Sequence, residues 1–173
     1  MGAVLGRGEI LFRAVQKNQG CMNWNETIAG CQDAQPAEEV ALICGDQLNE
    51  RHSWIADGPV STRLIVMMEI RSETDYARHH IQKVVAFFGA MRLFAQRLHE
   101  RGHRVHYIAL DAPDNAQSFA ANVHRVAAQV GASRFAWQYP DEYRLDEALK
   151  ALAAECEAKG MQTACADTEH FYT

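Results

Sequence analysis

Val40-Ala41-Leu42-Ile43-Cys44-Gly45-Asp46-Gln47-Leu48-Asn49 is the stretch whose reading decides the fold. Four apolar residues and a cysteine run without a polar break, and then Gly45 stops them. A short apolar run without alternation reads as a strand buried on both faces, and Gly-Asp after it reads as a tight loop. Strands of that kind sit at the centre of parallel α/β sheets, where ligands lie outside the carboxyl ends of the strands. GDQL is therefore the first place to look for function.

Outward from this run the chain alternates regularly. Strand one is Val40 to Cys44, followed by a polar connector from Arg51 to Ser61 that carries Gly58-Pro59. Strand two is Thr62 to Ile70. A long helix is expected from His79 to Arg101, with a buried stripe of Ile81, Val84, Phe88, Met91, Ala95 and Leu98 and with Gly102 at its end. Strand three is Val105 to Leu110, and a helix from Ser118 to Val130 stops at Gly131. Strand four is Arg134 to Gln138, a helix runs from Leu145 to Lys159 before Gly160, and strand five is Gln162 to Ala166. Strands separated by crossovers predict an α/β, Rossmann-like, doubly wound parallel sheet of five strands, in the order 3-2-1-4-5, with helices on both faces. Residues 1–38 lack this rhythm and read as an N-terminal extension. Residues 39–173 form the α/β domain.

Composition bounds the function. The 173 residues suit one domain, 48% hydrophobic and 23% charged, with a net charge of −5 and no basic block. Direct gripping of nucleic-acid phosphates asks for a basic surface, so contact with DNA is expected to be indirect. The longest apolar stretch, Leu64 to Met68, is too short to span a bilayer, so no membrane is expected. The five cysteines contain no CxxC, and Cys44 and Cys165 lie in strand-like runs as core candidates. Cys21 and Cys31 offer one possible pair. The odd count points instead to a reducing cytoplasm, as do Arg7, Glu9, Arg13 and Lys17, which interrupt any secretory segment.

There is no GxGxxG, P-loop or GxSxG motif. Asp46 has two readings, an acceptor for a ligand's N–H or hydroxyl groups or the cap of its own turn. Glu69, Glu73 and Tyr76 fall at or after the end of strand two, where they either face the same crevice or belong to a solvated loop, with Asp75 capping the helix. His79 and His80 are adjacent and point about 100° apart, with Lys83 one turn on, which favours capping over metal binding. The segments Asp111 to Asn115 and Tyr139 to Arg144, stiffened by Pro113 and Pro140, share that edge, and Tyr139 and Tyr143 suit stacking or an interface.

Four motifs, in order and at matching spacing, carry a family resemblance: GDQLN, ETDYARHHxQKxxxFFxAMRxFAxxLxxRGHRVxY, LDxPDNxxSF and YPDEYRL. From Val40 to Phe171 the chain resembles the N-terminal antenna-binding domain of the iron–sulfur bacterial cryptochromes and photolyases. That group includes the prokaryotic (6-4) photolyases and the deoxyribodipyrimidine photolyase-related proteins. The resemblance implies a crevice for 6,7-dimethyl-8-ribityllumazine, with cofactor-binding positions at Gly45, Asp46, Met68, Glu69, Glu73 and Tyr76. It also places FAD and a [4Fe–4S] cluster in a helical C-terminal domain, a missing or separate partner, so this chain alone is not expected to catalyse repair. Tyr139, Asp141 and Ile81 depart from the family pattern. A stand-alone nucleotide- or flavin-binding regulatory module is the competing reading, and an inert remnant with an empty crevice is a third.

Overall fold

A computed structural model describes residues 28–71 and 80–166. Five strands, β1 (Glu39–Leu42), β2 (Arg63–Met68), β3 (Val105–Ile108), β4 (Arg134–Gln138) and β5 (Gln162–Ala166), form one sheet. Its order is β3-β2-β1-β4-β5 and every neighbouring pair is parallel. The expected doubly wound topology is therefore the observed one, and its switch point lies between β1 and β4.

The helices are α1 (Ser53–Ala56), α2 (Ile81–Glu100), α3 (Phe119–Val130) and α4 (Tyr143–Ala158). Alternation along the strands splits the core into two layers. Val40, Leu42, Val66, Phe135 and Trp137 pack with α3 and α4, whereas Ile43, Ile65, Met67 and Tyr107 pack with α1 and α2. All of β1 is buried, as an apolar run without alternation requires. Each fully buried aliphatic side chain there contributes about 1.5–3 kcal/mol. Ser118 caps α3, and Gly131 ends it at φ 72°, a left-handed conformation that glycine adopts without strain.

Several boundaries shift for local reasons. β1 leaves the ladder after Leu42 because Cys44 turns its N–H to Gln47 Oε1 at 3.0 Å, although Ile43 N still reaches Val66 O. β3 stops at Ile108, and the Leu110 N–H goes to Glu69 Oε2 at 2.8 Å. Helix α2 starts at Ile81, with His80 as N-cap accepting from Gln82 N at 3.3 Å. His79 lies outside the described residues. The buried stripe begins at Val84. Ile81 is exposed in the first turn, before the helix reaches the sheet, which corrects its place in the stripe. Helix α4 begins two residues earlier than expected, at Tyr143. The connector Arg51 to Ser61 is not purely polar, since Ile55 of α1 is fully buried. Cys44 is in the core as expected. Cys165 is exposed, because β5 is an edge strand and is only partly covered.

Of the N-terminal extension, the described stretch 28–38 lies against the domain. Asp33 N donates to Val105 O, Tyr107 N donates to Cys31 O, and Gln32 forms an antiparallel bridge with His106. This strap adds a short antiparallel partner to the outer edge of β3. Arg104 fastens it with four hydrogen bonds, two to Asp33 and one each to the carbonyls of Gln35 and Pro36, and a fifth holds Arg104 to the carbonyl of Ser61. Its own Ile28 and Cys31 are buried in the α2 layer of the core. Burial and then the Glu100 charge push the Cys31 thiol up to about 11, so it packs as an inert side chain. Its proposed partner Cys21 lies outside the described residues.

Candidate functional site

The GDQL loop leaves β1 at the switch point and meets the loop after β4. Gln47 makes the junction. Its Oε1 accepts from Cys44 N at 3.0 Å, and its Nε2 donates to the carbonyls of Gln138 at 3.0 Å and Tyr139 at 3.3 Å. One buried carboxamide thus closes its own turn and ties it to a strand 91 residues away. Gly45 is needed for packing. A Cβ there would lie 2.2 Å from Phe87 Cζ and 2.9 Å from Met91 Sδ, so the loop rests directly on α2.

Asp46 stands at the mouth of this junction and is exposed. Its carboxyl is nevertheless held above the usual carboxylate range. Neighbouring protein restricts its hydration, and Asp141 and Glu142 repel its charge, while only its own backbone N–H acts in the other direction. Asp46 therefore meets the acidic YPDEYR segment across the crevice. Tyr139 is 38% exposed and Tyr143 is 74% exposed on that side.

Glu69 has a different role. It is 1% exposed, and both carboxylate oxygens are taken up by the protein. Arg92 Nε and Nη2 donate at 2.6 and 2.8 Å, Tyr107 Oη donates at 2.8 Å, and Leu110 N donates at 2.8 Å. This bidentate pair is the strong kind. Burial alone would pull the Arg92 guanidinium down, but bonding to Glu69 raises it, and burial holds the Tyr107 phenol well above its ordinary value. Glu69 thus ties β2, β3 and α2 together just below the crevice and has little capacity left for a ligand.

Met68 points to the opposite layer. It is buried among the α3 and α4 side chains, with Asn122 Nδ2 3.5 Å from its sulfur. Asn115 bridges the Glu69 and Ala109 carbonyls at 2.8 Å each, and Gln117, at φ 55°, is held by Leu110 O and Arg71 N. The loop after β3 is accordingly a rigid wall. Glu73, Asp75 and Tyr76 lie outside the described residues.

The structure therefore places Gly45 and Asp46 in the loop that joins the ends of β1 and β4, with Gly45 buried and Asp46 exposed, makes Glu69 part of the framework between β2, β3 and α2, and places Met68 in the core of the other face. Sequence reasoning missed Gln47 and Gln138. Gln138 ends β4 at the switch point, is 6% exposed, and its Nε2 meets no acceptor among the described residues. The signal available for Gln47 was its position inside GDQL. Among the described residues no helix is long and apolar enough to cross a membrane.

The family model for the deoxyribodipyrimidine photo-lyase-related protein matches residues 41–173, which begins inside β1 and takes in the other four strands. A (6-4) photolyase of Agrobacterium fabrum (strain C58 / ATCC 33970) is 34% identical over 115 residues, 66% of this chain and 23% of the relative. The chain thus spans about a quarter of that relative's length. The match over most of the chain establishes the family: this chain belongs to the deoxyribodipyrimidine photo-lyase-related proteins.

Proposed function

We propose that the chain is the light-harvesting-chromophore domain of a photolyase-type protein, with 6,7-dimethyl-8-ribityllumazine as the ligand of the β1/β4 crevice. The proposal puts FAD, the [4Fe–4S] cluster and the DNA-lesion surface in a separate helical partner domain in a reducing cytoplasm, so that DNA is met only through that partner. It assigns the chain no repair chemistry of its own.

The observation that carries this reading is the contrast between two carboxylates at one end of the sheet. Glu69 is saturated by four protein donors, whereas Asp46 stands exposed at the mouth of a crevice held rigid by Gln47. A lumazine has an amide-rich ring and a polyol tail, and a carboxylate acceptor at the mouth suits their N–H and hydroxyl donors. When bound, such a ring absorbs light and passes excitation energy to a flavin. The chain's own residues bind and orient it: Asp46 accepts, Gly45 keeps the loop close to α2, and Gln47 fixes the distance between the two loops.

The test is an absorption and fluorescence spectrum of the purified chain after addition of the lumazine and removal of the excess. A retained, shifted lumazine band is expected. Asp46→Ala should weaken retention by about 1 kcal/mol or more, roughly fivefold or more, without loss of folded signal. Retention of a nucleotide or FAD in place of the lumazine would support the regulatory-module reading. Retention of none of them would overturn the proposal.

A further inference from the structure

We infer that the outer edge of β3, together with Arg104, is a docking site for an extended, aspartate-bearing peptide, and that the strap is the chain's own occupant of that site. The inference is independent of the chromophore reading, since it concerns the β3 edge of the sheet and not the β1/β4 switch point.

The strap is held in the way a strand-addition domain holds a peptide. In that mode main-chain bonds to a sheet edge supply affinity, and pockets for particular side chains supply specificity. Asp33 N donates to Val105 O at 3.0 Å, Tyr107 N donates to Cys31 O at 2.8 Å, and Gln32 Nε2 donates to Tyr107 O at 3.0 Å. Gln32 pairs antiparallel with His106, whereas neighbouring strands of the sheet itself are all parallel. Ile28 and Cys31 enter the α2 layer, and Gln32 stays exposed.

Arg104 supplies the charged anchor. Its Nε and Nη2 grip both Asp33 carboxylate oxygens at 2.9 Å, a bidentate geometry that selects a carboxylate. Its other N–H bonds go to Ser61 O on the domain and to Gln35 O and Pro36 O at the root of the strap, at 2.8 to 3.0 Å. The guanidinium is therefore held ready from behind, and Ile28 to Asp33 are the residues that dock against the edge.

Two observations separate the occupant from the site. The family match begins at residue 41, so the β3 edge and Arg104 lie inside it and the strap lies outside it. The strap also leaves part of its bed unfilled. A cavity of about 430 Å³ remains between Gly30, Gln32 and Asp33 on one side and His99, His103 and Arg104 on the other. A segment that served only as core would close that space, because protein interiors pack without such voids. A strand-accepting edge beside open space and a pre-set guanidinium fits an extended peptide with one aspartate and a small apolar residue two positions before it.

The test uses the full chain carrying Asp33→Ala and, as probe, a capped, fluorophore-labelled peptide with the sequence of residues 28–34, kept reduced. Asp33→Ala should leave the circular-dichroism signal of the sheet intact and speed exchange of the Tyr107 amide, which the strap protects. The peptide should then bind the variant at least about tenfold more tightly than the parent, whose own strap competes, and should slow Tyr107 exchange again. A peptide with alanine in place of the aspartate should bind the variant about tenfold more weakly. Equal binding of the two peptides, equal binding by parent and variant, or no binding to a variant whose strap has let go would each overturn the inference. If Tyr107 stays protected in Asp33→Ala, Asp33→Pro, which also removes the amide donor to Val105 O, takes its place. A strap that stays docked in both variants, or a sheet signal lost in both, would make the strap an integral part of the fold and overturn the inference too.

Discussion

The two edges of the sheet are finished differently. At the β3 edge the strap adds an antiparallel partner, Arg104 locks that partner down, and β3 itself is buried along its length. At the β5 edge no described strand pairs with the outer side, and β5 is only half-covered. An open edge is a template for pairing with another chain, and proteins usually blunt it. Here one edge is blunted by a segment whose sequence shows no strand rhythm. A segment can thus lack any pattern of its own and still complete a fold, provided its backbone and one ion pair meet an existing edge.

The comparison predicts where the domain is brittle. Glu69→Ala should have the largest effect, because it leaves the Arg92 guanidinium and the Tyr107 hydroxyl buried without their acceptor at the crevice end of β3. A loss of about 3–5 kcal/mol is expected from urea denaturation. Arg104→Ala should come next, at about 2 kcal/mol after allowance for its partial exposure, together with faster hydrogen exchange at the Asp33 and Tyr107 amides that join strap to edge.

Acid should loosen the same edge more gently. Burial and the nearby Arg125 charge depress the His106 imidazole, while Arg104 holds the Asp33 carboxyl below the usual range. Both groups bind fewer protons folded than unfolded. Their stabilisation is therefore complete above the ordinary values and is lost as pH falls, His106 first below about 6.5 and Asp33 further below about 4. Protection factors at Asp33 and Tyr107, corrected for the slower intrinsic exchange in acid, should fall on acidification ahead of that of the Tyr139 amide, which bonds Ala166 O on the β5 side. An equal fall at both edges would remove the distinction. The smallest effect belongs to the open edge, where Gln162→Lys at exposed Gln162 should change stability by no more than about 0.5 kcal/mol.

The same contrast explains what was legible in the sequence. β4 and β5 begin and end at the residues expected, and Ser118, Gly131 and Gly102 mark helix ends as read, because apolar runs and caps are local signals. The order of the strands follows from crossover handedness and is equally legible. The polar ties are not. Gln47 to Gln138, Glu69 to Arg92 and Asp33 to Arg104 join distant residues and leave no period in the sequence. Met68 and Glu69 are adjacent in the chain, yet alternation sends one into each layer, and a motif match does not distinguish them. Of the resemblance-derived positions among the described residues, Gly45 and Asp46 lie in the loop at the switch point, whereas Glu69 is tied into the framework and Met68 into the core.

The position of β1 has a consequence for synthesis. Its two neighbours are β2, which follows closely, and β4, whose last residue, Gln138, is 91 residues beyond Gln47. At ribosomal rates of roughly 5–20 residues per second, on the order of 4–14 s pass between the emergence of β2 and that of β4. During that interval one side of Val40, Ala41 and Leu42, fully buried in the finished domain, has no native partner. The innermost strand of the finished domain is therefore among the most adhesive parts of the nascent one. Slower translation before residue 134 would lengthen its exposure, whereas chaperone capture there would guard the strand from which the crevice is built.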